Sequence, residues 1–212
     1  MFAASEMTRL QHCLGRLLPH LDRACVALAG GVAIEYHLAR AGRPATRERP
    51  ADLDLVARRI AGVEPSIARE FLVSHYHAAG PLVPTALVQL VDPATRLRID
   101  VFPDLDDAYA EANPATIAGS TLRVLGVRSI LEHKLRTLRK ASAASPVDPK
   151  HVRDAEALAE LCGTAPPAAP PHLQTEAYCT DLELVCPRCE HSRRPDFPLA
   201  PKAAIFAMLG YV

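Results

Sequence analysis

Val26-Ala27-Leu28-Ala29-Gly30-Gly31-Val32-Ala33-Ile34-Glu35-Tyr36-His37-Leu38, followed after a polar interval by Ala51-Asp52-Leu53-Asp54-Leu55-Val56, is the stretch on which the fold turns. The apolar run from Val26 to Ala29 reads as a buried strand, the Gly-Gly pair as a tight turn, and Val32 onward as the opening of a helix. In the second stretch two aspartates stand two residues apart. Strand residues at that spacing share a face, so Asp52 and Asp54 present both carboxylates on one side while Leu53 and Leu55 pack behind. Two hard oxygen donors so displayed outline a divalent metal site.

Upstream, Met7, Leu10, Leu14, Leu17, Leu18 and Leu21 give residues 5–23 the spacing of an amphipathic helix that covers the sheet. Between the two defining stretches, residues 42–50 form a polar loop bearing Arg43, Arg47 and Arg49. Downstream, residues 67–70 close a short helix and residues 71–77 read as a strand. His75 and His77 share one face of it. Residues 86–91 and 97–102 flank Asp92-Pro93-Ala94-Thr95, a turn with proline in its second position, so a β-hairpin is expected. Its return strand alternates Leu97, Ile99 and Val101 with Arg98, Asp100 and Phe102, which makes Asp100 a third carboxylate carried by a strand.

Residues 105–112 suggest a short helix with Asp104, Asp106 and Asp107 as its solvated start, and residues 116–127 a strand pair or extended segment. Residues 129–140 predict a helix with Ile130, Leu131, Leu135 and Leu138 inward and Arg128, Lys134, Arg136, Arg139 and Lys140 largely outward. Asp148 is placed to cap a further helix with the stripe Val152, Ala155, Leu158, Ala159 and Cys162. The pair forms a helical hairpin over residues 128–163, and the proline-rich residues 164–171 cannot continue it. The expected domains are therefore residues 1–163, a linker over 164–171, and a small Cys-rich module over 172–212.

With 24 Lys+Arg against 24 Asp+Glu among 212 residues, the chain carries no global positive field that would announce nucleic acid. The local basic group Arg128, Lys134, Arg136, Arg139, Lys140, Lys150, His151 and Arg153 is the exception, and no aromatic residues interleave it. No window reaches the roughly 18 unbroken apolar residues of a membrane span, and residues 1–6 lack a basic flank and apolar signal core, so a cytoplasmic protein with no membrane partner is expected. Abundant Ala, Arg and Pro with few Lys suggest a GC-rich bacterial source.

The order strand, Gly-Gly, helix, loop, Asp-x-Asp strand, then a hairpin strand with a lone Asp resembles the nucleotidyltransferase fold of the DNA polymerase β superfamily. Over residues 20–162 it is similar to small bacterial nucleotidyltransferases, including toxins of abortive-infection and toxin–antitoxin systems. In these a helix after the sheet carries Lys-Leu and the next carries Arg-Asp, positions matched by Lys134-Leu135 and Arg153-Asp154. The loop from Gly31 to Asp52 is longer than the compact form of the motif, and Gly31 stands where a serine hydroxyl could meet phosphate.

The resemblance implies an α+β fold, a mixed sheet flanked by helices, to which the residues themselves add the helical hairpin and the small Cys-rich segment. It implies Mg²⁺-dependent transfer of a nucleoside monophosphate from an NTP to a hydroxyl on tRNA, protein or a small molecule, with an antitoxin as a further partner. Asp52, Asp54 and Asp100 would be catalytic and hold two Mg²⁺ ions; Gly30, Gly31 and Lys134 would bind nucleotide. A catalytically silent nucleotidyltransferase-like binding protein and a zinc-containing RNA-binding adaptor are the alternatives. The adaptor draws on the tail, where three of six cysteines crowd together. Cys179, Cys186 and Cys189 with His191, or His172 in its place, suit a tetrahedral structural Zn²⁺.

Overall fold

The structure is a computed structural model that describes residues 1–59, 63–77, 87–104, 107–140, 147–168 and 170. The Cys-rich tail with its four expected zinc ligands lies outside the described residues. Helix α1 (Ala4–Leu17) opens the chain and buries Leu10, Cys13, Leu14 and Leu17 along one stripe. A 3-10 turn over Leu18–His20 takes the place of the last part of the expected helix, because Pro19 has no N–H for another α-helical bond. Strand β1 (Val26–Leu28) then runs through the turn into helix α2 (Gly30–Arg40).

Six further strands follow: β2 (Asp52–Ala57), β3 (Leu72–His77), β4 (Leu87–Val91), β5 (Arg98–Pro103), β6 (Asn113–Ile117) and β7 (Ser120–Val124). They form one seven-stranded sheet in the order β3-β4-β5-β2-β1-β7-β6. β2 pairs with β5 and β1 with β7 in parallel; the other pairings are antiparallel. The mixed sheet with flanking helices is the expected α+β architecture.

Register follows from alternation. Leu53 and Leu55 on β2 face the core beside Ile99 and Val101 on β5, and all four are buried. Fully burying each such side chain contributes about 1.5–3 kcal/mol, and a slip by one residue would turn all of them to solvent. The β4–β5 hairpin forms as expected. Its buried Asp92 accepts hydrogen bonds from the Ala94 N–H (3.0 Å) and the Thr95 hydroxyl (2.7 Å) and pairs with Arg16 of α1. The expected helix near residue 108 is only a 3-10 turn, Ala108–Glu111, whose Ala108 and Tyr109 N–H groups are held by Asp104. The strand pair expected within 116–127 starts earlier, at Asn113, and its last residue already belongs to the next helix.

Two compact units divide after Ser129, inside helix α3 (Val127–Arg139). In the second unit, α4 (Lys150–Leu161) starts where the Asp148 side chain accepts a hydrogen bond from the Lys150 N–H at 2.7 Å. Here one expectation is corrected. Lys134 is not an outward residue: it is 7% exposed, on the same α3 stripe as Leu131 and Leu138. Its ammonium reaches the buried Asp154 at 2.8 Å and His151 Nδ1 at 3.2 Å. Burial of a long cation is tolerable only with such partners.

Among the described residues no helix is long and apolar enough to cross a membrane. The described cysteines, Cys13, Cys25 and Cys162, are free thiols.

Candidate active site

Asp52, Asp54 and Asp100 converge. The parallel register of β2 on β5 sets Asp54 beside Asp100 and Asp52 beside Arg98, all on the sheet face opposite the leucines. One carboxylate oxygen from each aspartate lies within 4.8 Å of the others. Asp100 is buried, and Asp52 and Asp54 are half-buried. Three hard oxygen donors at this separation form a group that can hold a divalent ion. His75 is not part of this group, and the His77 side chain lies outside the described residues.

The Gly-Gly turn abuts these carboxylates. The Ala29 N–H donates to the Asp54 carbonyl at 2.8 Å, which ties the end of β1 to β2. Gly30 then adopts φ +58°, and a Cβ there would lie 1.7 Å from Asp54 Oδ2. Only glycine meets both demands. Gly30→Ala is therefore expected to lower stability by about 1–3 kcal/mol and to push the Asp54 carboxylate aside. Urea unfolding of this variant should show an earlier midpoint, and an unchanged midpoint would contradict the assignment of strain to Gly30. Helix α2, which starts at this turn, has no side-chain cap among the described residues, and its first N–H groups point toward the N-terminal end where an anion would be favoured.

The long loop between Gly31 and Asp52 does not wander. Glu35 of α2 is fully buried, and its carboxylate accepts hydrogen bonds from the Thr46 N–H (3.1 Å), the Thr46 hydroxyl (2.5 Å) and Arg47 (3.3 Å). That clamp folds the loop back over the turn and brings Arg47 Nε to 3.3 Å from where a Gly31 Cβ would sit. Glu35, Thr46 and Arg47 were missed by motif reading. The signal for Glu35 was a lone acid amid the apolar residues Val32, Ala33, Ile34 and Leu38.

A fourth charged group was also missed. Arg98 Nη2 lies 2.5 Å from Asp52 Oδ2, and its Nε lies 3.3 Å from Asp100 Oδ2. The other oxygen of Asp100 accepts from Gln89 Nε2 at 3.0 Å, and Gln89 Oε1 accepts from the Ser74 hydroxyl at 3.1 Å. This relay from β3 through β4 fixes the orientation of the third carboxylate. Lys134 belongs to the second unit, where Asp154 and His151 hold it.

No family model matches the chain, and no curated protein matches it. Among solved structures, the antibiotic-resistance factor ANT(2'')-Ia superposes with a TM-score of 0.51 at 18% identity, over 75% of this chain and 85% of that one. An antigenic nucleotidyltransferase-like protein from Paracoccidioides brasiliensis gives a TM-score of 0.40 at 19% identity, over 76% and 78%. The chain has the nucleotidyltransferase fold.

Proposed function

We propose that this protein is a Mg²⁺-dependent nucleotidyltransferase that moves a nucleoside monophosphate from an NTP to a hydroxyl acceptor. The observation that carries the reading is the convergence of Asp52, Asp54 and Asp100 beside an uncapped helix N-terminus and Arg47. The donor set fits the ion: all three ligands are carboxylates, and a guanidinium already lies among them as a positive charge. Asp52 and Asp54 would hold one ion against the triphosphate, and Asp100 would complete the set for a second. When bound, Mg²⁺ supplies neutralisation of the triphosphate charge and alignment of the displacement.

The remaining work falls to the chain. The Gly30-Gly31 backbone, with no side chain of its own, and the start of α2 offer N–H donors to phosphate oxygens. Arg47, held by Glu35, adds a guanidinium suited to a phosphate. Asp100 takes the acceptor's hydroxyl proton as the new O–Pα bond forms. The Pα–O bond to the β-phosphate breaks, and pyrophosphate leaves.

The acceptor is expected to be tRNA, a protein or a small molecule, and a role as a toxin restrained by an antitoxin belongs to the same reading. The test is a radiolabelled NTP screen with Mg²⁺ against total RNA, a protein extract and an aminoglycoside set. Incorporated label with equimolar pyrophosphate supports the reading and identifies the acceptor. Arg98 among the carboxylates also suits a silent binding protein, which would retain nucleotide in equilibrium dialysis and release no pyrophosphate.

A further inference from the structure

Arg98 approaches two members of the acidic group, Asp52 and Asp100, and it is held there by sequence position. It stands on β5 two residues before Asp100 and, by register, opposite Asp52. Its side chain is 26% exposed, so the pairs are partly screened; the Asp52 and Asp100 side chains are 14% and 10% exposed. Three carboxylates crowded within 4.8 Å repel one another, and a guanidinium bridging two of them relieves that repulsion. Arg98 donates a hydrogen bond to Oδ2 of Asp52 and sets its Nε 3.3 Å from Oδ2 of Asp100, so a divalent ion held by the same carboxylates would meet its positive charge.

We propose that Arg98 is a resident counter-cation of this site, and that a divalent ion must displace it from Asp52 and Asp100 to bind. The inference rests on the metal-site reading above and adds a loading rule to it. A free ion meets a group already part-neutralised, and loading it strands the guanidinium without an anion. An ion that arrives with a triphosphate brings phosphate oxygens to which a planar guanidinium fork can transfer. Arg98 thereby disfavours metal alone and favours the metal–nucleotide complex.

The test is calorimetric titration of the full chain with MnCl₂ alone, for the parent, Arg98→Gln and Arg98→Lys. Arg98→Gln is expected to bind Mn²⁺ at least about tenfold tighter than the parent, with Arg98→Lys between them. Without metal, Arg98→Gln should melt at a lower temperature than the parent, and Mn²⁺ should raise its melting temperature by more. Adding Asp54→Asn to Arg98→Gln should remove the tight binding, which separates this site from any other on the chain. Should Arg98→Gln fail to fold, Arg98→Lys still carries the comparison, since it keeps the charge and loses the fork.

Equal or weaker binding in the Arg98 variants overturns the proposal while the metal site stands. Tight binding that survives the loss of Asp54 overturns it as well. No Mn²⁺ binding by any variant overturns both this proposal and the metal-site reading. Tighter binding in Arg98→Gln, with no transferase activity found in the NTP screen, leaves the Arg98 proposal standing and removes the enzymatic one.

Discussion

Asp54→Asn is expected to fold as the parent does and to lose nucleotidyl transfer by about a thousandfold or more, a loss of several kcal/mol of transition-state stabilisation. The side chain keeps its shape and one acceptor oxygen, so the contact of Gly30 with this position is preserved. What is lost is a formal charge in a group of three carboxylates within 4.8 Å. A neutral amide is a poor ligand for a hard dication, and the remaining pair would still share Arg98. The backbone bond from Ala29 to the Asp54 carbonyl does not depend on the side chain, and one fewer like charge eases the repulsion from Asp52 and Asp100. Thermal melting without metal should therefore match or exceed the parent. Pyrophosphate release is the activity readout, and retention of more than about a tenth of the parent rate would remove Asp54 from the metal-holding role.

The contrast between Asp54 and Arg98 shows where sequence reading stops. That Asp52 and Asp54 share a face follows from a period of two along one strand, a local property visible in six residues. That Asp100 belongs with them was legible because a tight turn fixes the hairpin and its return strand alternates cleanly. Arg98 lies on the same face as Asp100 by the same alternation, yet its pairing with Asp52 depends on β2 docking parallel to β5. Some 40 residues separate those strands, and no local pattern states the register.

Glu35 and Lys134 illustrate a second limit, the habit of assigning charged residues to the outside. Lys134 falls at the spacing of Leu131 and Leu138, and Glu35 lies among apolar neighbours, so periodicity already placed both in the interior. What the chain could not state was the partner that makes each burial tolerable. Asp154 is supplied by the next helix, and Thr46 with Arg47 by a loop longer than the compact form of the motif. The loop is long because it returns to cover the turn, a tertiary reason invisible to motif spacing.

The Lys134–Asp154 pair carries the second large expectation. Lys134→Met should destabilise the second unit by about 3–5 kcal/mol, because it takes a cation at 2.8 Å away from the Asp154 carboxylate, which is 3% exposed. Lys134→Met with Asp154→Leu should recover most of that loss, since two apolar side chains of similar volume remove the uncompensated charge instead of exposing it. His151 provides an independent check. Burial, and secondarily the Lys134 charge, push its pKa down from 6.5 to about 4, so at neutral pH the ring is uncharged and its Nδ1 can accept from the ammonium at 3.2 Å. Between those two pH values the unfolded chain binds a proton that the folded one refuses. Stability is therefore fully present above about 6.5 and falls as the pH drops toward about 4. In Lys134→Met the second cause of the shift is gone, so the fall should be shallower even though the protein is weaker at every pH. Urea unfolding by circular dichroism across that window measures both effects. A Lys134→Met protein as stable as the parent, with the same pH profile, would mean that the pair holds nothing together.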